Sequence, residues 1–257
     1  MSSLRERNQS GQAAVEAAIV LPLFVFLILG ILQLGLMHQA RLLTKYAAYK
    51  AVRAGALNSA KVEEMEKAAL AVLLPLLSVP SGVENRAHIP PVGSAAEFQR
   101  KWQDLRGNRI PSTSLKHAEV TICGPTQGDV GGGGPELDFD DPRNTAPTGW
   151  RASHRTKLRV QVTFNYRMII PFADWVIYQA SRNRDVPALM RMRGKDAPVE
   201  ESADRRDRSE AQLEEAAAQR IYIAPIRATY TMRMQSNFFL NRAALPRSNE
   251  CVFPFAY

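Results

Sequence analysis

The sequence predicts an α+β protein. An N-terminal transmembrane helix, extended by further helices, precedes a small antiparallel sheet domain with long loops. Three observations lead to this class: an apolar segment at 17–37, a helix-forming region at 38–76, and three later segments in which apolar and polar residues alternate. Leading helices followed by strands are typical of α+β proteins.

The apolar segment is long enough to cross a bilayer. From Ala17 to Met37 the only polar side chain is Gln33, and a helix of this length reaches about 30 Å. A secretory signal peptide is the alternative, but its apolar region would be about 7 to 15 residues long and would end at a small-x-small cleavage site. The segment is longer, and 37–42 is not such a site. We therefore predict a retained membrane anchor.

The region after the anchor is predicted to extend it as two helices. Leu42, Tyr46 and Tyr49 share one helical face. We expect Gly55 and the pair at 58–59 to interrupt the helix. The second helix is predicted at about 62–77, where Glu63 and Lys67 have the spacing of an i, i+4 ion pair. These residues define a helical extension over 38–78.

The alternating segments predict an antiparallel sheet with one wet face. They occupy 117–123, 158–166, and 221–223 continuing through 226–232. Flexible loops are predicted at 124–150, which contains four consecutive glycines, and at 181–220, which includes a helix at 209–219. For the apolar segment 168–178 we favour an amphipathic helix that covers the sheet, with a membrane-surface or partner contact as the alternative.

The two cysteines, Cys123 and Cys251, allow two interpretations. Outside the cytoplasm they would form a disulfide, whereas the alternative is a pair of buried free thiols. Both interpretations stay open on the sequence alone.

Candidate catalytic and metal-binding groups do not assemble into a site. His117 and Cys123 lie on one predicted strand about 20 Å apart and cannot share a proton. The carboxylates at 138, 140 and 141 lack the ligands that complete a calcium loop, and His88 and His154 have no partners at ligand spacing. We therefore predict no enzymatic activity, no metal and no cofactor.

The net charge of +8 is spread along the chain, without a basic stripe interleaved with aromatic residues. Together with the absence of the usual motifs, this excludes nucleic acid as an expected partner.

One carboxylate, Glu16, stands at the start of the apolar segment, five residues after Gly11. It could lie in the interfacial layer at little cost. Deeper in the bilayer a charge costs about 2.5 to 3.5 kcal/mol, and such residues usually have a partner. If the chain is cut after Gly11, the new α-amine on Gln12 lies one helical turn from Glu16 and could pair with it, within one chain or between neighbours.

These residues carry a family resemblance. Gly11 and Glu16 match the pattern of type IV prepilin-like proteins, and GQAAVEAAIVLPLFVFLILGILQLG at 11–35 resembles the N-terminus of TadE-like pseudopilins of the tight-adherence (Flp) pilus system. The similarity continues through KYAAYKAVRAGAL at 45–57. It covers about residues 10–57 and differs from the family at Gln12 and Ala17, where type IV pilins usually carry Phe or Met and the major Flp pilins carry Tyr.

The resemblance implies a set of partners and a location. A prepilin peptidase would cut after Gly11, and the product would stay in the bacterial inner membrane as a single-pass protein, with its N-terminus cytoplasmic and its C-terminal domain periplasmic or extracellular. Other pilus subunits and the Tad assembly platform would be its partners. The length of the chain and the residue at position 17 favour a minor or assembly component over a major pilin.

The predicted organisation is thus a basic leader at 1–11, a transmembrane helix at 12–37, the helical extension at 38–78 and an extracytoplasmic α+β domain at 79–257. Five basic residues and no acid between 41 and 61 argue for the opposite orientation by the positive-inside rule, and here we follow the family. The alternative function is an uncleaved, signal-anchored extracytoplasmic binding module. An anchored hydrolase is disfavoured because no nucleophile and base can be paired.

Overall fold

The computed structural model describes residues 10–80, 87–130, 136–144, 149, 153–182, 203–240 and 245–251. The predicted basic leader before residue 10 and the four glycines at 131–134 lie outside the described residues. A long N-terminal helix followed by a small antiparallel sheet confirms the predicted α+β class.

Helix α1 runs without interruption over Ser10–Leu57 and contains Pro22. The prediction that Gly55 would break it is wrong: the chain leaves the helix only at 58–60, where Ser59 and Ala60 have positive φ angles. Gly55 instead lies where α1 crosses its neighbours. A Cβ added there would lie 2.7 Å from Cδ2 of Leu158 and would also clash with the side chain of Met65. Glycine is needed for close approach and not for a turn.

We expect Gly55→Val to lower the free energy of unfolding by about 1 to 3 kcal/mol, because the added atoms overpack a buried crossing. Gly35→Val is the matched control. Gly35 lies on the same helix, and a Cβ there meets nothing within 4 Å. The control should shift stability by less than about 0.5 kcal/mol. Denaturant unfolding of the full chain in detergent measures the stability of both variants. Equal losses of stability would contradict the close packing of Gly55 against Leu158 and Met65.

Helix α2, Val62–Leu73, is followed by a 3-10 turn at Leu74–Leu76, so the predicted second helix is confirmed with a tighter last turn. The predicted attraction between Glu63 and Lys67 is present, but the salt bridge of Lys67 forms with Glu64. Nζ of Lys67 lies 2.8 Å from Oε1 of Glu64, an i, i+3 partner that the same helical face brings equally near. Both side chains are exposed, so the pair contributes little to stability.

Alanines form the face of α1 that packs on the domain. Ala40, Ala47, Ala48, Ala51 and Ala56 are completely buried. Their small side chains let the helix axis lie close to the sheet. Leu42 and Tyr46 point outward instead, 54% and 49% exposed, while Tyr49 contacts Tyr230 with ring centroids 5.3 Å apart.

The central sheet has three antiparallel strands in the order β3–β5–β6, for which β3 is Ala118–Gly124, β5 is Lys157–Arg167 and β6 is Ile223–Arg233. All three predicted strands are therefore confirmed, and β6 continues through Pro225 because an edge strand tolerates proline. Every second residue of β5 is buried in the main core that α1 and α2 share with the sheet. These are Leu158, Val160, Val162, Phe164 and Tyr166.

The opposite face of β5 is covered over half of its residues, so only part of the expected wet face is open. Gln161, Asn165 and Arg167 are only 1%, 5% and 8% exposed. Helix α6, Ala203–Ala218, packs at this face, because its buried residues cluster with Ile223, the cross-strand neighbour of Arg167. The segment before β3 contributes as well, since the carbonyl of Lys116 accepts a hydrogen bond from Nδ2 of Asn165. The predicted helix at 209–219 is confirmed and begins earlier.

Short elements connect these layers. They are β1 Val79–Pro80 paired with β2 Ala87–His88, α3 Ala95–Asp104, α4 Gln127–Val130, β4 Glu136–Leu137 paired with β7 Phe238–Phe239, a 3-10 turn at Pro142–Asn144, and α5 Ala173–Arg182. Ser94 and Glu97 form a capping box at the start of α3. Nζ of the buried Lys101 donates to the carbonyls of Pro75 and Pro90, and burial lowers its pKa to about 8.

Candidate processing and assembly site

Helix α1 has two halves with different surroundings. Residues 14–28 are all exposed, and their large apolar side chains have 41% to 64% of their surface uncovered. Beyond residue 28 the helix enters the domain, and Gln33 is completely buried. The exposed half is thus about 15 residues, or about 22 Å, in length.

Gln33 lies inside the domain and not among lipids. Its Oε1 accepts a hydrogen bond from the backbone N–H of Ile170 at 3.1 Å. Leu36 and Met37 pack against the main core one turn later. The predicted transmembrane range of 12–37 therefore combines a segment that projects from the domain with a segment that packs on it.

The proposed processing residues lie at the projecting end. The backbones of Gly11 and Gln12 belong to the first turn of α1, and the exposed Glu16 follows Gln12 by one turn. From Gly11 to Phe26, which contacts Phe172 of the domain, the helix extends about 22 Å. This distance leaves Gly11 away from the domain. The roles of Gly11, Gln12 and Glu16 in cutting and pairing stay predictions.

The structure joins Cys123 and Cys251 in a disulfide. Cys123 lies near the end of β3, Cys251 lies 128 residues later, and their Cα atoms are 5.3 Å apart. Both residues are buried. The bond fastens the last described residues of the chain to the central sheet.

The groups considered for catalysis are engaged in the fold. Burial lowers the pKa of His117 to about 4, so its imidazole is neutral at pH 7, and Cys123 is consumed in the disulfide. In the acidic loop Asp141 accepts hydrogen bonds from the backbone and the guanidinium of Arg143, which lower the pKa of its carboxyl. Within the part of the chain that the structure describes, no three His, Cys, Asp or Glu residues are grouped to hold a metal. His88 and His154 are both exposed.

A cleft of about 390 Å³ lies between α1 and β6. Met37, His38, Arg41, Pro225, Ile226 and Arg227 line it. Arg41 is exposed on α1, whereas Arg227 alternates along β6 with Ile226 and Ala228, which pack on the core, so its side chain starts on the opposite face of the strand. Sequence reasoning missed this feature because the two contributing segments are far apart in the chain, and no local pattern indicates that they meet.

A projecting apolar helix joined to a small α+β domain defines a candidate single-pass membrane protein. Among the described residues, α1 is the one helix that is long and apolar enough to cross a bilayer. Residues 11–53 match the family model of TadE-like protein, which confirms the resemblance found in the sequence. The match covers the projecting half of α1 and most of its packed half, and it associates the chain with the Tad pilus system. Neither a curated protein nor a solved structure matches the chain.

Proposed function

We propose that this chain is a pseudopilin-like minor structural or assembly component of a Tad (Flp) type IV pilus. A prepilin peptidase cuts it after Gly11, and α1 then holds it in the bacterial inner membrane. Its N-terminus is cytoplasmic, and its domain is periplasmic or extracellular. The match of 11–53 to TadE-like proteins supports the association with this system.

The observation that carries the proposal is the exposed apolar half of α1. A continuous apolar surface over residues 17–28 is unfavourable in water and requires a cover. Lipid tails provide that cover in the membrane, and apolar helices of neighbouring subunits provide it in an assembly. A subunit that moves between these two surroundings needs a helix that projects from its domain, as α1 does.

Glu16 makes the transfer of α1 from lipid to neighbouring helices depend on a charged partner. When neighbouring helices cover the carboxylate, it loses its hydration, and it then requires a positive partner. Cutting after Gly11 converts the nitrogen of Gln12 from an uncharged amide into an ammonium group. Because this group lies one turn from Glu16, the cut supplies the partner within the chain or to a neighbouring subunit.

The disulfide between Cys123 and Cys251 supports an exported domain, since such bonds persist mainly outside the cytoplasm. The basic residues at 41–61 oppose this orientation by the positive-inside rule. In the structure this stretch lies on the packed half of α1 and on the turn after it. Its charged side chains therefore lie on the surface of the folded domain and do not form a short loop between two membrane spans. We therefore keep the domain outside.

The cleft between α1 and β6 favours a second candidate function. In that account the chain is an uncleaved, signal-anchored binding module, and the cleft holds a ligand. The cleft remains present whether or not Gly11 is a cut site. The two functions therefore differ in processing and in their effect on pili.

Deletion of the gene tests the proposed function. Cells that lack this chain should contain the major pilin in the membrane but assemble at least about tenfold fewer pili, because an assembly component is missing rather than the fibre subunit. Electron microscopy and immunoblots of sheared surface fractions measure this loss. Expression of the intact chain should restore pili. Normal pili in the deletion strain would favour the binding module.

A further inference from the structure

Helix α5 has a buried face and an apolar face that the domain leaves open. On the buried face, Ala173 and Tyr178 are each 7% exposed, and the ring of Tyr178 lies 5.3 Å from that of Tyr222. On the open face, Trp175 and Val176 are 52% and 51% exposed. The predicted amphipathic helix is present, and its first face packs on the main core beside α1, next to Tyr222. This packing does not explain the second face.

The residue just before α5 extends the open face to the membrane helix. Phe172 is 63% exposed, and its ring centroid lies 5.8 Å from that of Phe26 in an edge-to-face contact. Phe26 belongs to the projecting half of α1. The residues beside it in the helix, Val25, Leu27 and Ile28, are exposed and apolar. Any medium that surrounds Phe26 therefore also reaches Phe172. The open face of α5 is continuous with the surface that lipid must cover.

The length of the projecting half indicates where the bilayer lies. Residues 14–28 reach about 22 Å, whereas the hydrocarbon core is about 30 Å thick. If the missing length of about 8 Å of hydrocarbon core were placed at the N-terminal end of α1, the carboxylate of Glu16 would lie inside the hydrocarbon. At the other end α1 still offers exposed apolar side chains, Ile31 and Leu34, at 60% and 57% exposure. Extending the core toward the domain costs less.

We infer that α5 is seated in the membrane: its face of Phe172, Trp175 and Val176 enters the domain-side leaflet beside α1, below the phospholipid headgroups. Tryptophan suits this depth because its ring is apolar and its N–H is polar. The amphipathic form of α5, with one face on the core and one face open, is that of an interfacial helix. The domain is then held at two points and has a fixed orientation on the bilayer.

This inference rests on the proposed anchoring by α1, and the test separates the two. The full chain is reconstituted in vesicles of phosphatidylethanolamine and phosphatidylglycerol that contain a doxyl-labelled phospholipid. A thiol-reactive fluorophore is placed through Val176→Cys, and the two native cysteines, joined in the disulfide, do not react. Leu57→Cys is the matched control, since Leu57 is 52% exposed and Val176 is 51% exposed, and Leu57 lies about 46 Å beyond Phe26 along α1. Leu27→Cys reports on the anchor itself.

The fluorophore at position 176 should be quenched by the lipid several-fold more than that at 57, and about as strongly as that at 27. Quenching at 27, with 176 no different from 57, would overturn the seated helix while leaving the anchor intact. If position 27 also resists quenching, the anchor is absent and the inference fails with it. A fluorophore at 176 that both the lipid quencher and aqueous iodide fail to reach would assign the face to a protein partner and also overturn the inference.

Discussion

Breaking the Cys123–Cys251 disulfide by the paired change Cys123→Ser and Cys251→Ser is expected to lower the free energy of unfolding by about 4 to 5 kcal/mol. The bond closes a loop between residues 128 apart in sequence, and a long closed loop restricts the unfolded chain strongly. This loss is a large fraction of the net stability of about 5 to 15 kcal/mol that is usual for a domain. Changing both cysteines avoids leaving a reactive thiol.

Denaturant unfolding of the full chain in detergent measures this loss. Ser248→Ala, at an exposed position near Cys251, serves as the control and should leave stability unchanged. Addition of a reductant should bring the wild-type chain to the stability of the paired variant. The bond would be contradicted if reductant left the stability of the wild-type chain unchanged, or if non-reducing mass spectrometry found both thiols free. Either result would also remove the support that the bond gives to an exported domain.

The change Glu16→Leu is expected to abolish assembly while leaving membrane insertion intact. Leucine makes the exposed half of α1 more apolar, so the anchor is retained. In an assembly, however, the change leaves the ammonium group of Gln12 buried without its partner, at a cost of about 3 to 5 kcal/mol. Such a cost corresponds to more than about a hundredfold in an association equilibrium. We expect pili to fall accordingly.

Ile19→Leu is the matched control, because Ile19 is 60% exposed on the same half of α1 and carries no charge. Glu16→Asp keeps the charge and should retain part of the assembly. Membrane fractionation and counts of surface pili report insertion and assembly separately. Wild-type pilus numbers in Glu16→Leu would show that the carboxylate is an ordinary interfacial residue.

Local patterns were sufficient to predict much of this fold. Alternation at 158–166 identified β5 because a half-buried strand repeats every two residues whatever its neighbours are. The apolar run after Glu16 predicted the long helix α1, a candidate membrane span, since length and composition are local properties. Gly11 and Glu16 were selected by their position before the apolar run and by the resemblance to prepilin-like proteins, and their roles stay predictions.

The remaining features depend on contacts between residues that are far apart in the sequence, and local patterns did not predict them. Nothing near Gly55 in the sequence shows that Leu158 and Met65 approach it, so a glycine required for packing was taken for a helix break. The helix at 209–219 was predicted, but no local pattern shows that α6 packs near Ile223 and covers part of the face of β5 that was expected to be wet. The hydrogen bond between Gln33 and Ile170 was not predicted, because the two residues are distant in sequence. The contact between Phe26 and Phe172 could not be predicted for the same reason.

The N-terminus of the mature chain tests the central claim of processing after Gly11 most directly. The protein is isolated from membranes of cells with and without the prepilin peptidase, and its intact mass and N-terminal peptide are determined. With the peptidase the chain should begin at Gln12, and without it, or with Gly11→Leu, the chain should retain its leader. A chain that begins at Met1 or Ser2 in the presence of the peptidase would contradict the pseudopilin account and favour the uncleaved binding module.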